Sequence, residues 1–283
     1  MQIIKEKAVL AQVISAFKQK GSSIGFVPTM GALHDGHLSL VRQAAAICDA
    51  VIVSIFINPT QFDKASDLDN YPRTLEEDVK KLDELDLNLI VFSPNASELY
   101  DNNIVAENFL FGGLENEMEG KFRTGHFDGV GTVVKRLFEI VQPDKAFFGE
   151  KDYQQLQIIK NLTRVNNLTV QVIGCPIYRE TNGLARSSRN ERLSPEVRLE
   201  ASFIHETLLK VKDKFGTESA NQISHWVEKE FNSHPYFKLE YFEIADSETL
   251  KPLIKKINGR NYRAFIAVYS EDIRLIDNVA LNY

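Results

Sequence analysis

Apolar positions along this chain change their spacing repeatedly, and the changes divide it into elements. Val9, Val13, Ala16 and Phe17 recur at helical spacing up to Gly21. Residues 24–27 form a short apolar run that breaks at Pro28. After His37, the positions Leu38, Leu40, Val41, Ala44, Ala45, Ile47 and Cys48 suit a helix. Residues 24–48 therefore read as buried strand, tight loop and helix. Residues 50–57, AVIVSIFI, are continuous and β-branched, as in a strand buried on both faces. A charged surface helix over 75–86, a strand over 87–93, a helix over 130–142, a strand over 145–149, a helix over 153–165 and a strand over 168–174 follow. Residues 95–125, punctuated by Gly112, Gly113 and Gly120, carry no clear period.

Strands alternating with helices predict a parallel, helix-covered sheet, an α/β fold, over residues 1–175. The alternation ends near Pro176. Beyond it the pattern predicts helices from Pro195 to about Phe215 and over 218–232, then strands over 237–244, 262–269 and 273–279. Residues 176–283 thus read as a smaller α+β domain. Its histidines, His205, His225 and His234, read as ordinary helix or helix-end residues.

Composition narrows the classes. A chain of 283 residues, 43% of them hydrophobic, can bury a sizeable core. The net charge of −6 and the lack of a basic stripe argue against a nucleic-acid partner. An acidic protein that binds a nucleotide needs a local cluster of cations and donors. Cys48 and Cys175 each fall in an apolar run and read as buried free thiols, which suggests a reducing compartment. Lys5, Glu6 and Lys7 interrupt the first residues, unlike a signal peptide, and no apolar run is long enough to span a membrane.

Four segments carry candidate chemistry. The loop that ends at His37 delivers His34 and His37 to a helix N-terminus, where unpaired N–H groups and the helix dipole favour an anion. Gly31 and Gly36 let backbone and ligand approach closely. The same histidines suit a plain surface loop, or half of a zinc site, although no Cys or Glu partner lies at ligand spacing. Asn58-Pro59-Thr60-Gln61 leaves the 50–57 strand and reads as a ligand contact through Gln61 or as a simple turn. The 62–74 loop after it suits a mobile cover or a passive connection. Lys151, between Glu150 and Asp152, precedes a helix, where the dipole disfavours a lysine unless an anion is shared; pairing with its acidic neighbours is the alternative. Residues 179–194 offer Ser187, Ser188 and Arg189 to phosphate oxygens, or form a solvated basic linker. In the stretch Arg123 to Gly129, His126 suits a ligand contact or a helix start. Gly129 and Gly131 do not make a dinucleotide fingerprint, because Val134 stands where the third glycine should be, and a kinase-type phosphate loop is absent.

In this order and spacing, PTMGALHDGH, FINPTQF, FFGEKDYQQL and GLARSSRN resemble the pantothenate synthetase (pantoate–β-alanine ligase) family of H-x-G-H nucleotidyltransferases. The resemblance spans nearly the whole chain. It implies a Rossmann-like N-terminal domain, a small C-terminal domain that closes over the site, and a cytoplasmic homodimer. It implies that (R)-pantoate is joined to β-alanine with ATP and Mg²⁺. His37 is implied as catalytic proton donor, with His34 and Lys151 beside it in catalysis. ATP contacts are implied at Met30, Gly31, Ala32, Leu33, His34, Asp35, Gly36 and His37, at Gly149, Glu150, Lys151, Asp152 and Tyr178, and at Arg186, Ser187, Ser188 and Arg189. Gln61 and Gln155 are implied to hold pantoate, and Gln61 to reach β-alanine. Two positions depart from the family pattern: Arg186 stands where an apolar residue is usual, and Thr124 where proline is. A related nucleotidyltransferase acting on another acceptor is the competing expectation.

Overall fold

The computed structural model describes residues 1–62, 68–123 and 125–281. The middle of the 62–74 loop, residues 63–67, and Thr124 lie outside the described residues. The chain divides into two compact units, Met1–Glu150 with Gln154–Pro176, and Lys151–Tyr153 with Ile177–Tyr283.

The first unit is built on a six-stranded sheet in which every pairing is parallel. In chain order its elements are β1 (Gln2–Ile4), α1 (Lys7–Gln19), β2 (Ile24–Thr29), α2 (Asp35–Ile47), β3 (Ala50–Ile55), α3 (Leu75–Asp83) and β4 (Leu89–Phe92). There follow α4 (Ala96–Tyr100), α5 (Met118–Phe122), α6 (His126–Val141), β5 (Lys145–Gly149), α7 (Tyr153–Val165) and β6 (Gln171–Cys175). Strand order is β1-β4-β3-β2-β5-β6. The chain moves from β2 outward through β3 and β4, then returns to the other side of β2 for β5 and β6. The order therefore reverses between β2 and β5, and the crevice outside the carboxyl ends of such strands is where open α/β sheets take their ligands.

Side-chain alternation explains the packing. Val27 of β2, Val51, Val53 and Ile55 of β3, and Leu89 and Val91 of β4 share one core cluster with Leu38, Val41 and Ala44 of α2. Their neighbours Phe26, Ile52, Ile90 and Phe92 are buried too, so both faces of these strands are covered.

Three local expectations change. β1 is a strand that the opening residues did not announce: Gln2, Ile3 and Ile4 are too few to show a period and exist as a strand only through pairing with Ile90, Val91 and Phe92. β2 runs through Pro28 instead of breaking there, with Pro28 in register with Ser54. Thr29 turns its carbonyl towards β3, accepting from Phe56 N–H at 3.1 Å. Pro28 therefore turns its ring nitrogen the other way, towards β5, where pairing already stopped at Phe26. No ladder bond is lost. The helix begins at His126, four residues earlier than its apolar period shows, because its first turn contains Asp128 and Gly129.

The second unit has its own core. Helices α8 (Pro195–Glu200), α9 (Ser202–Phe215) and α10 (Ala220–Asn232) accompany an antiparallel sheet of β7 (Lys238–Asp246), β8 (Tyr262–Ser270) and β9 (Ile273–Leu281), in that order. Ile204, Leu208, Val211, Phe215, Ile223, Val227, Ile266 and Leu275 lie in one buried cluster. The single helix expected from Pro195 is broken at Ala201. Ser194 caps its start by accepting from Val197 N–H at 3.3 Å, with Pro195 at the first helical position.

Candidate active site

Two backbone features shape the loop after β2. Gly31 and Ala32 both adopt left-handed conformations, with φ of 84° and 49°. Gly31 is required on a second count, since an added Cβ would lie 3.0 Å from Asp78 Oδ2 and 3.2 Å from Ile55 Cγ2. The loop ends at His34, the N-cap of α2. The His34 and His37 rings then stack, with centroids 4.0 Å apart and planes at 24°. The His34 backbone N–H approaches His37 Nδ1 at 3.4 Å. With Nδ1 accepting, the ring proton sits on Nε2, which is then a donor. His34 O takes the N–H groups of His37 and Leu38, at 2.8 and 3.1 Å. The N–H groups of Asp35 and Gly36 belong to the helix's open first turn. Both imidazoles thus stand at the positive end of a 13-residue helix.

Helix α3 reaches this loop from outside the motif. Asp78 is fully buried, and it accepts from Leu33 N–H at 2.6 Å and from Ala32 N–H at 2.9 Å. Lys81 Nζ donates to Leu33 O at 2.7 Å. The charged surface helix expected over 75–86 is therefore corrected: one of its acids is a core residue.

At the exit of β3, Asn58 is 1% exposed and organises the amide turn. Its Nδ2 donates to Gln61 Oε1 and to Gly129 O, both at 3.1 Å. Its Oδ1 accepts from Thr60 Oγ1 and from the Tyr100 hydroxyl. Because Gln61 Oε1 is engaged, the half-buried Gln61 presents its amide N–H groups as donors. His126 Nδ1 lies 2.9 Å from Gln61 O, and its Nε2 lies 3.1 Å from Arg123 Nη1. His126 is both the first residue of α6 and a brace under Gln61. Gly129 allows α6 to come this close, since a Cβ there would sit 2.2 Å from Thr60 O.

Gly149 closes β5, and Glu150 begins the turn into α7. The consecutive glutamines of α7 divide their tasks. Gln154 is buried and ties down residues 114–119, donating to Leu114 O at 2.8 Å and Glu117 O at 2.7 Å and accepting from Glu119 N–H at 3.0 Å. Gln155 is half-buried, and its side chain makes no hydrogen bond among the described residues. The His34–His37 loop, the Gln61 turn and Gly149–Glu150 thus leave the carboxyl ends of three neighbouring strands, β2, β3 and β5.

In the second unit, Lys151 keeps a loose ion pair with Asp152 at 3.9 Å, while its backbone carbonyl accepts from Asn278 Nδ2 at 3.0 Å. Tyr178 is exposed, and its carbonyl accepts from Arg186 N–H at 2.9 Å. Ser187 is buried and caps a short turn by accepting from Arg189 N–H at 3.3 Å. Ser188 is half-buried and Arg189 exposed. Arg186 differs from these residues, because its guanidinium already meets Glu191 at 2.7 Å and Glu180 at 3.5 Å. That network continues through Arg198, which binds both carboxylates. Arg198 holds Glu191 below the usual carboxylate range. Burial pushes Glu180 up, but bonds from Arg198 and Asn190 and the charges of Arg198 and Arg186 outweigh it, and its net shift is downward.

The family model described as pantoate-beta-alanine ligase matches residues 2–280. The chain belongs to the pantoate–β-alanine ligase family. Among its relatives, the pantothenate synthetase of Christiangramia forsetii is 60% identical over 282 residues, covering 100% of both chains. That of Flavobacterium psychrophilum is 49% identical over 99% of this chain and 100% of its own. A crystal structure of the Thermus thermophilus enzyme superposes with a TM-score of 0.91 at 39% identity, over 100% of both chains. A pantoate-β-alanine ligase from Francisella tularensis, complexed with beta-gamma ATP and β-alanine, gives a TM-score of 0.74 at 33% identity over 99% of this chain and 97% of that one. Asp78 and Gln154 are the supporting residues that sequence reasoning missed, while His126, read as a ligand contact or a helix start, is a helix start that also braces the Gln61 turn. Asn58 had a signal, a polar residue at a buried strand's exit. Asp78 had none, being one acid in a run of three.

Proposed function

We propose that this chain joins (R)-pantoate to β-alanine with ATP, through a pantoyl adenylate, releasing pyrophosphate and then AMP. The observation that carries this reading is the stacked His34–His37 pair at the N-terminus of α2, beside the reversal of strand order between β2 and β5. In the first half-reaction a pantoate carboxylate oxygen attacks the α-phosphorus, a P–O bond forms, and the bond to pyrophosphate breaks. A carboxylate of pKa about 4 is already ionised at neutral pH, so no base is needed. The task is to bring two anions together and to meet the charge that grows on phosphate and leaving group. His37 Nε2, His34, the N-terminal amides of α2, Lys151, Ser187, Ser188 and Arg189 are the donors assigned to it. Arg186, already neutralised by Glu180 and Glu191, shapes the serine turn rather than supplying charge. Gln61, with its amide N–H groups outward, and Gln155 hold pantoate without trapping its carboxylate in an ion pair. In the second half-reaction the neutral amine of β-alanine attacks the acyl carbon, its extra proton leaves, and the C–O bond to AMP breaks. Water must stay away from that intermediate.

Among the described residues no three His, Cys, Asp or Glu side chains are placed to hold a metal ion. Magnesium would enter with ATP, and there it would offset charge on the departing pyrophosphate. A cytoplasmic location belongs to the same proposal. Cys48 and Cys175 are free, and burial, with the Glu150 charge, pushes the Cys175 thiol up to about 11. Such thiols suit a reducing compartment. No described helix is long and apolar enough to cross a membrane.

The test is a mass-spectrometric search for pantoyl adenylate in a mixture of protein, Mg-ATP and pantoate without β-alanine. The intermediate and stoichiometric pyrophosphate are expected. Pyrophosphate release with a different acid from a panel, and none with pantoate, would move the chain to another acceptor.

A further inference from the structure

The glycine turn after β2 makes a small anion cradle, and it is already filled. Gly31 and Ala32 are both left-handed, and the next amides, those of Ala32 and Leu33, point the same way. Successive N–H groups in such a turn form a concavity that attracts anions, and a nucleotide phosphate is its usual guest. Here the guest is Asp78. Oδ1 accepts from Leu33 N–H at 2.6 Å, and Oδ2 accepts from Ala32 N–H at 2.9 Å and from Thr74 Oγ1 at 3.2 Å. The side chain is 0% exposed. It sits in the first turn of α3, where the helix dipole favours negative charge. Three residues on, Lys81 holds Leu33 O at 2.7 Å. One helix therefore grips both the amide and the carbonyl of Leu33, the residue directly before His34.

We propose that Asp78 is a positioning residue: its carboxylate occupies the loop's anion cradle and sets the bearing of His34 and His37 for adenylate formation. This rests on the ligase reading given above. It narrows that reading as well, because the amides of Ala32 and Leu33 are spent on Asp78. ATP phosphates then meet the loop through the imidazoles and the α2 N-terminus. At 0% exposure Asp78 offers no surface to a substrate.

The substitution that isolates this role is Asp78→Asn. It keeps the shape and one acceptor, but turns an NH₂ group towards a backbone N–H. Pantoate-dependent ATP–pyrophosphate exchange is the measurement. The variant is expected to lose roughly 10- to 100-fold in exchange kcat, the scale of a misplaced catalytic group. Its KM for pantoate should hold, as should its rate with β-alanine on pantoyl adenylate prepared by the unaltered enzyme. Lys81→Met is expected to slow the same step about 3- to 10-fold, within the range for loosened positioning. Exchange by Asp78→Asn within twofold of the unaltered protein would overturn the proposal. So would equal losses in both half-reactions, or recovery of exchange at high magnesium, which would mark a general structural role or a metal role. If Asp78→Asn does not fold, the Lys81→Met measurement decides alone. Absence of exchange in the unaltered protein would instead sink the ligase reading itself.

Discussion

His37 combines three things that no single one of its neighbours has: a place at a helix N-terminus, a stacked partner ring, and an Nδ1 facing a backbone N–H. On the ligase reading, replacing it with alanine removes a donor assigned to developing charge, while Asp78 and Lys81 keep their hold on the loop. His37→Ala is expected to lower kcat by roughly 10²–10³, with little change in melting temperature. Steady-state kinetics and a thermal melt on the same preparation check both parts. Lys151→Ala should lower pyrophosphate release from ATP and pantoate, since Asp152 at 3.9 Å uses little of that charge. A rate equal to that of the unaltered protein would remove Lys151 from the mechanism. At this scale the position of the two histidines was readable, since a glycine loop running into an apolar-periodic stretch puts them at a helix N-terminus, where they stand. Period and residue type did not announce the brace made by Gln154, because only packing brings residues 114–119 against it.

Elements matter here chiefly by what they press against. Helix α6 meets the Gln61 turn through Gly129, where a Cβ would fall 2.2 Å from Thr60 O and 2.7 Å from Gln61 Cα. Gly129→Ala must push helix and turn apart. It is expected to destabilise the protein by about 1–3 kcal/mol, the usual range for overpacking, and to raise KM for pantoate more than KM for ATP. Equal changes in both constants would show that the turn does not serve pantoate. In the other unit, Glu180 gathers Arg198, Asn190 and Arg186. Its folded-state pKa lies below the ordinary value. The stabilisation is therefore complete above the ordinary glutamate range and fades as pH falls through the folded value. Glu180→Gln should melt below the unaltered protein at pH 7, and the gap should close on acidification below the ordinary carboxylate range. Melting curves across that interval decide it; a gap that widens in acid would refute the assignment.

For the whole molecule, the exposed apolar residues Ile104 at 47%, Val105 at 60% and Leu110 at 85% fall in one segment, which suits burial against a second copy. Sedimentation is expected to report twice the chain mass, and charged substitutions at Val105 and Leu110 to halve it. A monomer at micromolar concentration would count against the homodimer. The sequence by itself determined the α/β alternation, most strand and helix cores and the four motif segments, because period and residue chemistry are local properties. Only the tertiary structure decided the strand order, β1, the passage of β2 through Pro28, and the burial of Asp78. The order of strands in a sheet is not encoded in any one strand. A three-residue edge strand exists only through its neighbour. An acid in a charged helix becomes a core residue only when a distant turn aims two amides at it.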